Sequence, residues 1–139
     1  MTMRILTVRQ PWASLLVLGI KPIENRSHGS LFRGDLAILA AQTVDMSPRA
    51  REAFDRHMDE AVYPVISGLP RGGVIGAVEL YDVVSEHPPS WWWTGPFGLL
   101  VRNARRTRET IPMRGALYTI TPDEVTESRI RRSLEGEKS

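Results

Sequence analysis

Residues 8–26 read VRQPWASLLVLGIKPIENR and contain a short apolar run followed by a cluster of charges. Pro11 stands at a favoured first position of a helix, and Gly19 is the residue type at which helices commonly end. Pro22 then keeps the preceding residue, Lys21, out of helical geometry. The stretch predicts a short helix, a turn and an extended segment. The charged side chains at its end are Lys21, Glu24 and Arg26.

Apolar runs on both sides of this stretch predict further strands at residues 4–9, 34–41, 74–84, 96–104 and 115–120. Ser47-Pro48 predicts the start of a second helix, and Thr121-Pro122-Asp123-Glu124 predicts a capping box that opens a third. The chain lacks a regular strand–helix–strand repeat, which disfavours a doubly wound sheet. We therefore predict an α+β fold, a small mixed β-barrel of about five to six strands with two to three peripheral helices.

The composition fits one globular domain, which we predict over residues 1–134, with a flexible tail at 135–139. The 139 residues include no cysteine, so disulfides, thiolate catalysis and cysteine-bound zinc are excluded. The histidines lack metal-ligand spacing, and we predict neither a metal nor a cofactor. No apolar run is long enough to span a bilayer and no secretory signal is apparent, so we expect a cytoplasmic protein without membrane contact.

Lys21 stands out because the only other lysine is Lys138, in the predicted tail, although Lys and Arg together number 18. An arginine bias of the genome explains the general pattern. A lysine kept in such a chain also suggests amine chemistry, since lysine can lose its proton and arginine cannot. The alternatives are a solvated surface lysine, a phosphate ligand and a catalytic base.

Glu24 and Arg26 share one face if the segment is extended, while Asn25 points to the other. A turn at Pro22 would bring Lys21 to the Glu24 and Arg26 face. An ordinary ion pair is one interpretation. The functional interpretation gives Arg26 to a phosphate or base edge and Glu24 to an exocyclic amino group or a water.

Glu79 lies in the middle of the apolar run VIGAVELYDVV, residues 74–84. Strict alternation would place it on one face with Ile75, Ala77, Tyr81 and Val83. A carboxylate in such a row is rare unless it is paired. We expect it to meet a cation such as Lys21 or Arg26, or to have a raised pKa as an acid/base group; a structural ion pair is the alternative.

Aromatic and basic side chains supply further candidate ligand-binding residues. The corner at Gln10 and Trp12 could wall a cleft, with the indole stacking on a base, or simply pack in the core. Three consecutive tryptophans, 91–93, cannot all point inward, and Trp93 is a candidate for stacking or for a packed lid. Arg102 belongs to a basic cluster that would bind phosphates or remain solvated.

The chain resembles the ASCH domains in motifs spread along nearly its whole length. These are Gln10-Pro11-Trp12-Ala13, the Gly19-x-Lys21-x-x-Glu24-x-Arg26 signature, and the strands RGDLAILAA, GGVIGAVELYDVV, WTGPFGLLVRNARR and MRGALYTI. The resemblance implies a fold similar to PUA domains and recognition of RNA or modified nucleotides. One bacterial branch of the family hydrolyses N4-acetylcytidine, and a ribonuclease activity has been proposed for another member.

The resemblance also implies roles for individual residues. Lys21 and Glu79 match the lysine and glutamate of the hydrolytic branch. Glu24 stands where that branch carries its proposed threonine nucleophile, and it cannot take over that role.

These observations lead to two main hypotheses. The first is a binding module that holds RNA, single-stranded nucleic acid or a modified nucleoside. Its ligand-binding residues would be Gln10, Trp12, Asn25, Arg26, Trp93 and Arg102. The second is a hydrolase whose catalytic residues are Lys21, Glu24 and Glu79. A domain that binds peptides in the same groove is a third, less favoured alternative, because three charges suit a small polar ligand better.

Overall fold

The computed structural model describes residues 2–134, which form one sheet and three α-helices. The strands are β1 (Met3–Gln10), β2 (Ile23–Arg26), β3 (Gly34–Val44), β4 (Gly73–Val84) and β5 (Phe97–Pro112). The helices are α1 (Trp12–Val17), α2 (Pro48–His57) and α3 (Glu124–Ser133), with a 3-10 turn at Ile66–Gly68. The predicted tail, 135–139, lies outside the described residues. In the described part, no helix has the length and apolar character that crossing a bilayer requires.

The five strands lie in the order β1-β3-β4-β5-β2. Strand β1 runs parallel to β3, and every other neighbouring pair is antiparallel. The α+β class is therefore confirmed. Within residues 2–134, β1 and β2 remain the two edges of an open sheet, so the predicted closure into a barrel is not found.

Helix α1 packs over one face of the sheet and fills the first core. Its side chains Ala13, Leu16 and Val17 are buried against apolar residues of β1, β3, β4 and β5. Strand β4 approaches the helix closely at Gly76, where an added Cβ would lie 2.7 Å from Val17 and 2.3 Å from the Arg105 carbonyl oxygen. Glycine is thus required for helix and strand to meet, and this contact fixes where the turn after α1 begins.

Two further apolar clusters complete the domain. Ile130 and Leu134, at the end of the chain's last helix, pack with residues such as Met3 and Ile111 on the other face of the sheet. The third cluster joins Leu15 of α1 to α2 and to the tryptophan loop (residues 85–96), whose partly buried members include Trp91 and Trp92. Helix α2 starts where the sequence predicts, since the Ser47 side chain accepts a hydrogen bond from the Ala50 N–H at 3.2 Å.

The third helix begins later than predicted. Helix α3 starts at Glu124, and Asp123, not Thr121, is its N-cap: the carboxylate accepts a hydrogen bond from the Thr126 N–H at 2.7 Å. A carboxylate is favoured there because it satisfies a free N–H and lies at the positive end of the helix dipole.

Two strand predictions also need correction. Residues 115–120 do not form a strand but cross the β1 edge, with one isolated bridge between Ile5 and Ile120. Strand β5 extends to Pro112, beyond the predicted end at residue 104, and includes Arg105, Arg106 and Arg108. Alternate positions of an antiparallel strand can face solvent, so a run of charges is compatible with β structure at these positions.

Candidate nucleotide site

A cavity of about 420 Å³ lies in the gap between the two edge strands of the sheet. Strand β1 contributes one wall and β2 the opposite one, while α2 and the tryptophan loop border the mouth. We call this the edge cavity. It is lined by Thr7, Val8, Arg9, Trp12, Lys21, Glu24, Asn25, Arg26, Asp45, Ser47, Arg49, Trp91, Trp92 and Thr94.

Lys21 reaches the edge cavity through the turn that ends α1. Gly19 has a φ of +77°, and the N–H groups of Ile20 and Lys21 both donate to the Leu15 carbonyl at 3.0 Å. These bonds turn the chain back beneath the helix, so the lysine side chain is only 4% exposed. Its ammonium donates to the Ile23 carbonyl and lies 3.4 Å from Glu24 Oε1.

Glu24 stands between two cations. Its Oε1 faces Lys21, and its Oε2 lies 3.3 Å from Nη1 of Arg26. Strand β2 pairs with β5, which fixes the backbone of both residues. The three charges therefore meet as expected, but the turn that brings Lys21 to Glu24 and Arg26 lies at Leu18–Gly19 and not at Pro22. The functional roles of these three residues remain predictions.

Burial sets the electrostatics of the lysine. Desolvation lowers the pKa of Lys21 below its ordinary value, and Arg49 lowers it further, while the Glu24 carboxylate raises it and offsets part of the shift. The end of α1 and the Glu24 carboxylate would by themselves favour the ammonium form of Lys21, and burial opposes them. Lys21 thus combines the position of an anion ligand with the depressed pKa of a candidate base.

Trp12 forms one aromatic wall of the edge cavity. Its ring centre lies 5.6 Å from the Lys21 ammonium, and its Nε1–H donates to Asp45 Oδ2 at 2.9 Å. Burial alone would raise the pKa of Asp45, but hydrogen bonds from Trp12 and Ser47, together with Arg9, hold that pKa below its ordinary value. Asp45 is therefore a charged anchor that orients the indole.

The tryptophan loop forms the opposite aromatic wall, and Asn25 holds it in place. The Asn25 amide donates to the Trp92 carbonyl at 2.8 Å and accepts from the N–H groups of Thr94 at 3.0 Å and Gly95 at 3.2 Å. The Arg49 guanidinium lies over the Trp91 ring, 4.3 Å from the ring centre. The Asn25 amide therefore uses its hydrogen bonds to hold the backbone of the loop, and the residue also borders the cavity.

The ASCH domain model matches residues 6–94, well over half of the chain. The chain belongs to the ASCH domain family. Activating signal cointegrator 1 of Homo sapiens is 37% identical over 89 residues, which cover 58% of this chain and 14% of that protein. The Mus musculus protein of the same name is 36% identical over the same length. The chain thus spans only a small part of these curated relatives.

Solved structures support the fold over nearly the full length of this ASCH domain. The crystal structure of ASCH from Zymomonas mobilis superposes with a TM-score of 0.61 at 13% identity and covers 96% of both chains. A point mutant of the same protein gives a TM-score of 0.60 at 12% identity, over 97% of this chain and all of the other. At such low identity the likeness extends to the fold alone.

Two candidate ligand-binding residues of this ASCH domain lie away from the edge cavity. Gln10 is completely buried, and its amide bonds Ser14 and the Pro70 carbonyl, so it fixes the start of α1. Trp93, half-buried like Trp91 and Trp92, packs against Gly98, where an added Cβ would lie 2.7 Å from the indole. Gln10 and Trp93 are therefore structural neighbours of the cavity and do not line it.

The expected contact between Glu79 and Lys21 or Arg26 is wrong. Glu79 is about one-third exposed and pairs with Arg102 at 3.0 Å and with the Asn103 amide at 2.7 Å. These hydrogen bonds lower the pKa of Glu79, the reverse of the raised pKa that an acid/base role predicts. Arg102, the remaining ligand-binding candidate, is committed to the same pair outside the edge cavity.

The reason is the strand order. Strand β5 separates β4 from β2, and the register of β4 with β5 makes Arg102 the partner of Glu79. The strict alternation expected for β4 is also wrong: its register with β5 shifts at three places, and Ile75 lies in the first core while Ala77 lies in the second. Both side chains of the Glu79–Arg102 pair reach solvent.

Several lining residues had no sequence signal of their own. Asp45 and Arg49 flank the Ser47 cap and look like ordinary helix-entry residues, yet they hold Trp12 and Trp91 at the cavity mouth. The only sequence signal for this wall was the expectation that three consecutive tryptophans cannot all point inward. Within residues 2–134, histidines and carboxylates form no group of three or more able to hold a metal ion.

Proposed function

We propose that this ASCH domain binds one nucleotide, of RNA or carrying a modified base, in the edge cavity. The observation that carries the proposal is the charged row between aromatic walls, in which Lys21 and Glu24 are buried and Arg26 is partly exposed. A carboxylate flanked by two cations offers both acceptor and donor groups to the edge of a base. The volume of about 420 Å³ lies within the range of about 300–1,000 Å³ that is usual for small-molecule sites.

The aromatic walls support a planar ligand. The Trp12 indole is oriented by Asp45, and Trp91 and Trp92 are held by the anchored loop. A base between such rings gains stacking of about 1–3 kcal/mol. The charged row beneath would then select the base by its hydrogen-bonding edge, and Arg26 or Arg49 would meet the phosphate.

Intrinsic tryptophan fluorescence tests the proposal, since three of the four tryptophans line the edge cavity. Titration with ribonucleoside monophosphates and short single-stranded RNA should change the emission. Glu24→Gln removes one charge without changing the side-chain shape, and we expect it to weaken binding at least about tenfold, the loss typical of a charged hydrogen bond.

A matched control comes from the second ion pair. Arg102→Ala removes a guanidinium from the exposed Glu79 pair and should leave the affinity unchanged at fixed salt. Circular dichroism would verify that each variant folds. Binding that is absent at low salt, or that is equally strong in Glu24→Gln, would contradict the proposal.

A hydrolase remains the second candidate because the pKa of Lys21 is depressed by burial. A neutral Lys21 amine would take a proton from water as the water oxygen attacks the acetyl carbonyl of N4-acetylcytidine; the C–N bond then breaks, acetate leaves, and the Lys21 ammonium returns the proton to the N4 amine of cytidine. With RNA, the water oxygen would attack phosphorus, a P–O bond to the ribose would break, and the same ammonium would protonate the leaving ribose oxygen. Glu79 lies outside the edge cavity and has no part in this hydrolysis, so the catalytic residues would be Lys21 and Glu24 alone.

Incubation with N4-acetylcytidine and with RNA, followed by chromatography, separates the two candidates. Products that disappear in Lys21→Met, a variant of similar length without the amine, would favour hydrolysis. Intact substrates together with tight binding would support binding without hydrolysis.

A further inference from the structure

A second cavity, of about 410 Å³, adjoins the edge cavity on the far side of Arg26. We call it the outer cavity. One wall is the segment 25–30 that continues β2, and the other is the segment 117–119 that crosses the β1 edge. Asn25 and Arg26 line both cavities, so the two spaces meet at these residues.

Arg26 forms the partition between them. Its Nη1 lies 3.3 Å from Glu24 Oε2 and 3.4 Å from the Thr7 carbonyl, both on the edge-cavity side. Its Nη2 lies 3.5 Å from the carbonyl of Leu117, a residue that lines the outer cavity. The Arg26 side chain is still about one-quarter exposed and therefore accessible from solvent. A ligand that fills both cavities must pass this cation.

The outer cavity presents two exposed aromatic rings that have no core role. The rings of His28 and Tyr118 meet edge to face, with centres 6.1 Å apart and an interplanar angle of 69°. Tyr118 is 65% exposed and its neighbour Leu117 is 78% exposed. Large apolar groups left exposed side by side commonly mark a binding surface.

These groups follow one another in the same order as the parts of a nucleic-acid strand. The aromatic walls of the edge cavity correspond to one base, Arg26 to the phosphate, and the exposed pair of Tyr118 and His28 to the next base. A phosphodiester is the anion that joins two stacking groups, and arginine is a preferred partner for it. Only an unpaired strand can spread successive bases onto aromatic side chains in this way.

We infer that the outer cavity is a second nucleotide subsite, in which Tyr118 and His28 stack the base next to the one in the edge cavity. This inference rests on the proposed function and extends it from a single nucleotide to a single-stranded dinucleotide step. The phosphate that joins the two nucleotides lies over Arg26.

The test compares ribonucleoside monophosphates with the homodinucleotides ApA, CpC, GpG and UpU in the fluorescence titration. The dinucleotide of the preferred base should bind about tenfold more tightly than its monophosphate, the gain expected from one added stacking contact. Tyr118→Ala should abolish that gain without changing monophosphate affinity, and Tyr118→Phe, which keeps the ring, should preserve it.

Tyr81→Ala is the matched control. Tyr81 is also exposed, at 41%, but it packs against Arg102 outside both cavities, so its loss should change neither affinity. Equal affinity for monophosphate and dinucleotide, or a gain that survives Tyr118→Ala, overturns the second subsite and leaves the proposed function standing. Failure of both ligand classes to bind overturns both.

Discussion

Lys21 lies where burial disfavours the charged form of its amine and a neighbouring carboxylate favours it. The side chain is almost completely buried, with a carboxylate on one side and the Arg49 charge nearby. Burial lowers its pKa and Glu24 opposes the change, so the protonation of Lys21 depends directly on its neighbour. A ligand that adds negative charge to the cavity would favour the ammonium form, and removal of Glu24 would favour the neutral amine.

NMR titration of the Lys21 side chain measures this balance, with the compound Nα-acetyl-lysine amide as the reference. We predict that the pKa of Lys21 lies below that of the reference, and that Glu24→Gln lowers it further because the carboxylate raises it in the native protein. The unfolded chain keeps this proton at pH values where the folded chain has lost it. Lys21 therefore makes the folded state more stable as pH rises through that interval.

A Lys21 side chain that titrates at or above the pKa of the reference compound would contradict the prediction. So would a Glu24→Gln variant in which the pKa of Lys21 rises.

The sequence predicts the charged row of Lys21, Glu24 and Arg26 but not the position of Glu79. The reason that one prediction succeeds and the other fails is physical. Lys21, Glu24 and Arg26 are close in the chain, so turn and strand geometry determine their relation locally. The position of Glu79 depends on the strand order and on the register between β4 and β5, which no local pattern encodes. Asp45 and Arg49 were missed for a similar reason, because their contacts with tryptophans join segments far apart in sequence.

At the scale of elements, a single side chain of β2 connects this strand to the tryptophan loop by hydrogen bonds. Asn25 binds one carbonyl and two N–H groups of the loop, and all three bonds connect residues nearly 70 positions apart. The strand carries Glu24 and Arg26 on one side and this anchor on the other. The charged floor of the edge cavity and its aromatic wall are thus positioned by the same four-residue strand.

Asn25→Ala should loosen the wall. Three polar groups lose their partner, and we expect the free energy of unfolding to fall by about 1–3 kcal/mol, with a red shift of the tryptophan emission. Asn25→Asp keeps the acceptor for the Thr94 and Gly95 N–H groups and should shift the emission less. Emission and unfolding midpoints of Asn25→Ala that equal those of the native chain would contradict this role.

At the scale of the whole molecule, the last third of the chain completes the sheet. The family match ends at residue 94, before β5 begins at Phe97. Yet β5 lies between β4 and β2, and its side chains Leu99 and Val101 belong to the first core. Without β5, the four residues of β2 would have no neighbouring strand.

A fragment of residues 1–94 should therefore fail to fold cooperatively, as measured by circular dichroism during urea unfolding. The control is a fragment of residues 1–134, which keeps every described element and should unfold in a single transition. A cooperative transition in the shorter fragment would show that β5 is dispensable, contrary to the strand order.

The open gap between β1 and β2 has a further consequence for how copies of the protein meet in solution. Free strand edges are templates on which another chain can add its own strand, and proteins guard them with short strands and inward-pointing charges. Here β2 has only four residues, and Lys21 and Arg26 donate to carbonyl groups of β2 and β1. An intruding strand would have to separate the buried Lys21 and the partly exposed Arg26 from these partners. The features that make the gap attractive to a small polar ligand also protect the protein against edge-to-edge aggregation.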